Sequence, residues 1–429
     1  MNNINEVQNS SKVLDALFAQ RHLYIRAKNY MKYIRWISMD KSRNLYEIIK
    51  KLDIPDSMRE NAEEKYLTLA RELNESGIKV EIYPQGSFAL GTVVRPFTKG
   101  KDVEYDLDFI CQELYDKNKI SPEYVKKCIE EILRKNGRKV SEDNTCWIVD
   151  YANVQENLGF KIDVVPAIDE EEIEKQRLLN ANVDLNYSQY AIAITNTEDK
   201  KQYDWGKSNA KGYTKWFNDI NESFLKVALE ERSKQFFSNI EKLPEIDKKS
   251  NLQRIIQILK RHRDIYFYRA NQENKPSSAI ITTIVAQICK GYNPNTNLYN
   301  LLKYVINELE EYSKLLEQDQ SIFSFNNINR NWIKKKDNQW YIPNPVNPYN
   351  NLAGSWNDDM ASKFFKWISI LKRDLVLSAD YDDEKYYVAM KEAFGDEFID
   401  SNIKEFSFLK TNQKPIITSN TKPWVECDE

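Results

Sequence analysis

Asp106, Asp108 and Asp163 are the residues whose type and spacing bear most directly on chemistry. The first two stand one residue apart in EYDLDFI, and side chains at i and i+2 of a strand project to one face. Two carboxylates therefore share a face in a segment otherwise built from Leu107, Phe109 and Ile110. Like charges that close repel, and a buried pair calls for a compensating cation. Hard oxygen ligands suit Mg²⁺ or Mn²⁺, which complete their shells with water and substrate phosphates. Upstream, Gln85-Gly86-Ser87 supplies a turn whose backbone N–H groups and hydroxyl can hold a phosphate. Asp163, in FKIDVV, adds a third carboxylate from a separate apolar strand. Together these residues spell metal-dependent phosphoryl or nucleotidyl transfer. In a two-metal scheme one ion lowers the pKa of the attacking hydroxyl and the other stabilises the leaving pyrophosphate.

Those carboxylates need strands to carry them. Ile78, Val80 and Ile82 alternate with polar residues, which predicts a strand leading into the Gly-Ser turn. Trp147 to Tyr151 and Phe160 to Val165 read as two further strands, joined across a polar turn ending at Gly159. Ahead of them, residues 11–50 read as helix, with Val13, Leu14, Leu17 and Phe18 at helical spacing. A second helix is expected from Ser57, paired with Glu60 as a capping box after Pro55 and stopped at Gly77. Pro122 to Gly137 reads as another helix. The acidic run Asp169 to Lys175 reads as a solvated face or loop, and Trp205 to Phe217 as turn residues before a helix near Asn221. From about Asn251 the pattern is mainly helical, broken at Pro276, Gly291–Pro294 and Pro343–Pro348. The expected class is α+β: residues 1–240 form a mixed sheet with flanking helices, and residues 241–429 a helical lobe completing the pocket.

Composition narrows the functions. Sixty-two basic residues against 65 acidic ones give no global field for polynucleotide, so no long nucleic acid is expected as partner. No apolar run approaches the roughly 20 residues needed to span a bilayer, and MNNINEVQNSSK has no signal-peptide pattern. The five cysteines are far apart and never form C-x-x-C, which points to reduced thiols and a cytoplasmic setting. His22 and His262 are the only histidines, which leaves little for a His-rich zinc site or a serine–histidine triad.

The ordered motifs resemble the polymerase β-like nucleotidyltransferases, and within them the bacterial cGAS/DncV-like group, the CD-NTases. QGSFALGT is similar to the family's donor-binding motif, EYDLDFI to its D-x-D strand and KIDVVPA to its third-carboxylate strand. LQRIIQILKRHRDIYF, KPSSAIITTIVAQI and NPVNPYNNLAGSW look like its C-terminal lobe signatures. The resemblance spans roughly Gln85 to Trp356. It implies a polymerase β-like nucleotidyltransferase lobe and a cyclic oligonucleotide synthase. The catalytic and metal residues would be Asp106, Asp108 and Asp163, with two Mg²⁺ or Mn²⁺ ions per site. Gln85, Gly86, Ser87, Lys260, and Ser277 or Ser278 would bind the NTP, ATP among the substrates. The product, a cyclic di- or trinucleotide, would activate a separate antiphage (CBASS) effector.

The residues of the Leu252 helix make a separate case. Leu252, Ile255, Ile256 and Leu259 form an apolar stripe, with Gln253, Arg254, Lys260 and Arg261 largely outside it. Basic residues so placed are ordinarily solvated, whereas the resemblance puts Lys260 on a triphosphate. His262 reads as a structural partner in that helix, and Tyr187, Tyr190 and Tyr213 as core packing in preference to base stacking. Two rival functions remain at this stage. A linear, template-independent nucleotidyltransferase acting on RNA or protein would share the three carboxylates. An inactive nucleotide-binding module would be expected to have lost one.

Overall fold

The computed structural model describes residues 41–95, 97–98, 101–102, 106–135, 137–151, 160–197, 202–236, 249–318, 320–326 and 330–402. A few side chains within these elements, that of Asp106 among them, lie outside the description. The strands are β1 (Val80–Pro84), β2 (Phe97–Thr98), β3 (Lys101–Asp102), β4 (Asp106–Glu113), β5 (Lys139–Glu142), β6 (Trp147–Tyr151) and β7 (Phe160–Asp169). They continue with β8 (Ile192–Asn196), β9 (Asp204–Ser208), β10 (Lys334–Lys336), β11 (Gln339–Tyr341), β12 (Pro343–Asn344) and β13 (Asn347–Asn351). The helices begin with α1 (Lys41–Lys50), α2 (Asp56–Glu75), α3 (Gly86–Ala89), α4 (Pro122–Arg134), α5 (Glu172–Asn180), α6 (Leu185–Ser188) and α7 (Ala210–Phe236). The second half adds α8 (Asn251–Arg269), α9 (Ser278–Cys289), α10 (Leu298–Glu311), α11 (Gln320–Asn326), α12 (Asp358–Leu375), α13 (Asp383–Phe394) and α14 (Asp396–Asn402).

Strand alternation in β4 decides which face does what. Leu107, Phe109 and Cys111 enter a core with Leu69 and Leu73 of α2 and Ile129 and Leu133 of α4. Ile110, of the opposite parity, packs with Tyr83, Val165 and Ile192 in a separate cluster. Asp108 shares that second parity. A seven-stranded sheet runs β1-β4-β7-β6-β5, with β8 added to β7 and β9 to β8. Only β4 and β7 pair in parallel within it; the other pairs are antiparallel. A parallel pair requires a crossover, and α4 with the β5–β6 hairpin supplies it.

A larger core gathers the helices. Ile255, Ile256 and Leu259 of α8 pack there with Ile284 and Val285 of α9, Leu302 and Val305 of α10, and Trp367 and Ile368 of α12. Ile48 and Ile49 of α1 and Phe217 and Phe224 of α7 join the same core. The α+β class therefore holds, and α8 is the central helix of the second core. The expected lobe boundary near residue 240, like the helical expectation for residues 11–40, lies outside the described residues.

Local expectations met mixed outcomes. The strand at Trp147–Tyr151 stands as read, and Gly77 ends α2 at a φ of +93°. The capping box at Ser57 does not form: α2 begins at Asp56 behind Pro55, which places Ser57 inside the first turn, and no side chain caps that end. Strand β7 runs on to Asp169, four residues beyond the predicted end, because Ala167 and Ile168 pair with β8. Helix α7 starts well before Asn221, since Asn209 Oδ1 accepts the Gly212 N–H at 3.0 Å and caps it. The acidic run is only partly solvated. Glu170 is buried and meets Lys117 Nζ at 2.5 Å.

Candidate active site

The parallel register of β4 and β7 sets the centre of the site. Asp108 lies directly opposite Asp163, and Asp106 opposite Lys161. Two of the three predicted carboxylates thus stand on neighbouring strands, both half-buried. The backbone of Asp106 opens β4 two residues earlier; its carboxylate lies outside the described residues. The thiol of Cys146 registers both charges. Burial pushes it up to about 12, and the fields of Asp163, Asp143 and Asp108 add to the rise.

The Gly-Ser turn closes against the same face. The Gln85 N–H donates to Asp108 O at 2.9 Å, fixing the turn to β4. Gly86 follows with φ +62°, a left-handed conformation that costs an L side chain roughly 1–2 kcal/mol. A Cβ at Gly86 would lie 2.6 Å from Asp108 Oδ2. Glycine is therefore required twice, by the backbone and by the carboxylate beside it. Ser87 sits in the short helix α3, half-buried, and its carbonyl accepts the Thr92 N–H at 2.9 Å.

Lys260 approaches from α8. Its Nζ donates to Thr92 O at 3.2 Å and Thr92 Oγ1 at 3.3 Å, and only 4 % of the residue is exposed. Burial pulls the amine down to about 7, and the Arg263 guanidinium pulls the same way, against the opposing fields of Asp264 and Asp108. An ammonium has three donors, so two bonds to Thr92 leave one N–H for a ligand. Arg263, which the motif reading passed over, links this corner to α9. Its NH1 donates to Pro276 O at 3.0 Å and Ser278 Oγ at 3.1 Å, while Asp264 holds its Nε at 3.0 Å. Ser277 is exposed and caps α9, its Oγ accepting the Ile280 N–H at 3.3 Å. Ser278 is thus joined to the Lys260 corner by a hydrogen bond, whereas the seen role of Ser277 is at the helix end.

The basic and amide side chains of α8 from Gln253 to Arg263 are buried, not solvated, whereas Arg269 at its end is exposed. Gln253, Arg254, Gln257, Lys260 and Arg261 all lie inside the molecule. His262 is structural, as expected: Trp367 Nε1 donates to its Nδ1 at 3.0 Å, and its Nε2 meets Asp374 Oδ2 at 3.2 Å. Tyr213 packs on the large core and bonds Thr283 Oγ1 at 2.7 Å; Tyr187 packs there too and donates to Asp219 at 2.8 Å. Among the described residues no group of three metal-ligating side chains occurs, the Asp106 carboxylate not being one of them. The donor set nonetheless suits a hard divalent ion. Asp108 and Asp163 offer hard oxygens, and the missing Cβ of Gly86 leaves a cradle beside Asp108 Oδ2.

Comparison with known proteins bears on the fold and the family. The Second Messenger Oligonucleotide or Dinucleotide Synthetase domain matches residues 39–221. A c-di-GMP synthase of Roseivirga ehrenbergii is 30% identical over 330 residues, 75% of this chain and 74% of the relative. The solved structure of the CD-NTase CdnG of Bradyrhizobium diazoefficiens in complex with GTP superposes with a TM-score of 0.59. It is 19% identical and covers 84% of this chain and 97% of its own. The CdnC:HORMA-deltaN complex of E. coli MS115-1 superposes with a TM-score of 0.53 at 12% identity, covering 81% and 95% of the two chains. The mixed sheet with its flanking helices thus has the polymerase β-like nucleotidyltransferase fold. The chain belongs to the bacterial CD-NTase family, the enzymes that synthesise cyclic oligonucleotide second messengers.

Proposed function

We propose that this enzyme joins NTPs, ATP or GTP among them, into a cyclic di- or trinucleotide in the cytoplasm, and that the product activates a separate antiphage (CBASS) effector. The observation that carries the site assignment is the pairing of Asp108 with Asp163 across parallel strands, beside the Gly86 turn. Asp106, Asp108 and Asp163 would hold two Mg²⁺ or Mn²⁺ ions, which would supply Lewis-acid activation of a ribose hydroxyl and charge neutralisation at the leaving pyrophosphate. Gly86 and Ser87 hold the donor phosphates through backbone N–H groups and the Ser87 hydroxyl, on a turn that the Gln85 N–H keeps on β4 through its bond to Asp108 O. Lys260 adds its remaining N–H to the same phosphates. Ser278 keeps its own O–H to donate while accepting from Arg263, and Ser277 lies one residue before it.

The first transfer leaves a linear intermediate that keeps a 5′-triphosphate. Once it turns over in the pocket, that triphosphate takes the donor position and the free hydroxyl closes the ring. The second step is effectively unimolecular, which favours closure over growth. The Roseivirga relative is named for c-di-GMP, so a guanine dinucleotide is the first product to seek.

Incubation with radiolabelled NTPs and Mg²⁺ or Mn²⁺, without DNA or RNA, should give a short, phosphatase-resistant product lacking terminal phosphates. Asp106→Ala with Asp108→Ala should abolish it in a folded protein. A ladder of phosphatase-sensitive products, or dependence on an RNA primer, would point to the linear transferase instead. Wild-type rates in the double variant would remove the metal-site assignment.

A further inference from the structure

One stripe of α8 grips the loop that follows the Gly-Ser turn. Residues 253, 257, 260 and 261 recur at i, i+4, i+7 and i+8, the spacing of a single helix face. Each sends a donor to a different backbone carbonyl between Leu90 and Arg95. Gln253 Nε2 bonds Leu90 O at 2.9 Å, Lys260 Nζ bonds Thr92 O at 3.2 Å, and Arg261 NH1 bonds Arg95 O at 3.2 Å. Gln257 Nε2 bonds both Val93 O and Asp53 Oδ1. The N–H groups of the loop's first three residues turn back the other way, while the Arg95 N–H goes to Leu52 O at 3.0 Å. Leu90 N–H returns to Gly86 O at 3.2 Å and Gly91 N–H to Phe88 O at 3.2 Å. The loop is thus stitched to the turn on one side and to the helix on the other.

Buried amides and guanidinium groups need partners, and here the partners are carbonyls that a loop would otherwise offer to water. The pairing is closely fitted. Gly91 has φ +64°, and a Cβ there would run into Gln253 Nε2. Gln253 also does a second, separable job: its Oε1 accepts the Ser250 N–H at 2.9 Å, half of the capping box that starts α8.

We infer that Gln253 and Gln257 are positioning residues for nucleotidyl transfer, holding the Leu90–Arg95 loop so that the Gly86–Ser87 turn keeps its place beside Asp108. They act through backbone carbonyls and touch no reacting atom. The inference rests on the function proposed above for the turn, but the clamp itself can be tested without it.

Gln253→Glu is the informative change. The carboxylate still accepts from Ser250 N–H, so the cap survives, while the donor to Leu90 O is replaced by an oxygen that repels it. Gly91→Ala strikes the same contact from the loop side and serves if the first variant folds poorly. In nucleotide-free protein, hydrogen exchange of the 86–93 amides should quicken by about tenfold in either variant, with α8 amides unchanged. KM for the NTP should rise by about tenfold with a smaller change in kcat, and Ser87→Ala should add little on that background. Exchange at the wild-type rate would retire the clamp whatever the enzyme makes. Faster exchange with unchanged KM, or an effect that adds fully to Ser87→Ala, would leave a structural contact and overturn the positioning role. If wild-type protein fails to use any NTP, the function proposed for the turn falls, and the exchange result still decides the clamp.

Discussion

At the scale of single residues, two buried ionisable groups make the molecule sensitive to pH in opposite settings. Glu113 ends β4 on the face away from Asp108, fully buried, and neither of its carboxylate oxygens has a hydrogen-bond partner. Burial pushes its pKa from 4.5 up to about 7. A carboxyl whose folded pKa is raised is protonated in the folded chain while the unfolded chain has already released the proton. Stability is therefore full below pH 4.5 and falls as pH rises towards 7, by about 3 kcal/mol at 1.36 kcal/mol per unit. Glu113→Gln should be equal to wild type at pH 4 and more stable by about 1–3 kcal/mol at pH 8, read from urea unfolding. Equal stabilities at both pH values would mean the carboxylate has found compensation. Lys260, drawn down to about 7, concerns binding in the donor role proposed above. A triphosphate beside it favours the ammonium, so at pH 7 binding should take up about half a proton, and affinity should weaken as pH rises further. Calorimetry in buffers of unlike ionisation enthalpy reads that uptake. Lys260→Arg should erase it, because a guanidinium stays charged; undiminished uptake would place the titrating group elsewhere.

Among elements, the Gly86–Ser87 turn that opens α3 is the least replaceable. Gly86→Ala brings both backbone strain and a methyl against Asp108 Oδ2, 2.6 Å away. A displacement of that order should lower kcat/KM by about a hundredfold, while Gly77→Ala, with nothing within 4 Å of its Cβ, should change stability and not catalysis. Comparable loss in both would show that strain alone, not the carboxylate, is felt. The same elements show what the amino-acid sequence makes legible. The Asp106–Asp108 strand, the glycine turn and the strand at Trp147 are local patterns, and each stands where alternation and turn chemistry put it. What escaped is non-local. An apolar stripe on α8 implies a wet opposite face, yet that face meets carbonyls some 160 residues upstream and is dry. Likewise β9 and the early start of α7 depend on pairing with β8 and on the Asn209 cap, which no periodicity announces.

For the molecule as a whole, Asp53 ties the segment between α1 and α2 to α8. Just past α1, it accepts Arg254 NH2 at 2.8 Å and Gln257 Nε2 at 2.9 Å and pairs with Lys249. Despite burial, the charges of Arg254 and Lys249 hold its carboxyl below the usual range. Its contribution is therefore present above pH 3.8 and is lost as pH falls through the lower folded value. Asp53→Ala takes this carboxylate from the buried Arg254 and should cost about 3 kcal/mol in denaturant unfolding. A cost below 1 kcal/mol would show the tie to be dispensable.

The reach of those α8 contacts also bears on synthesis. Residues 253 to 261 are translated some 90 residues after Asp163 and about 160 after the loop they hold. A growing chain leaves the ribosome N-terminus first, and contacts of such separation form last. A nascent chain that has passed Asp163 but not Arg261 already owns every carboxylate of the proposed site, yet the proposed donor turn hangs on an untethered loop. Signal production would then wait until residue 261, about three-fifths of the way along the chain, has emerged, and a chain interrupted before it would stay silent.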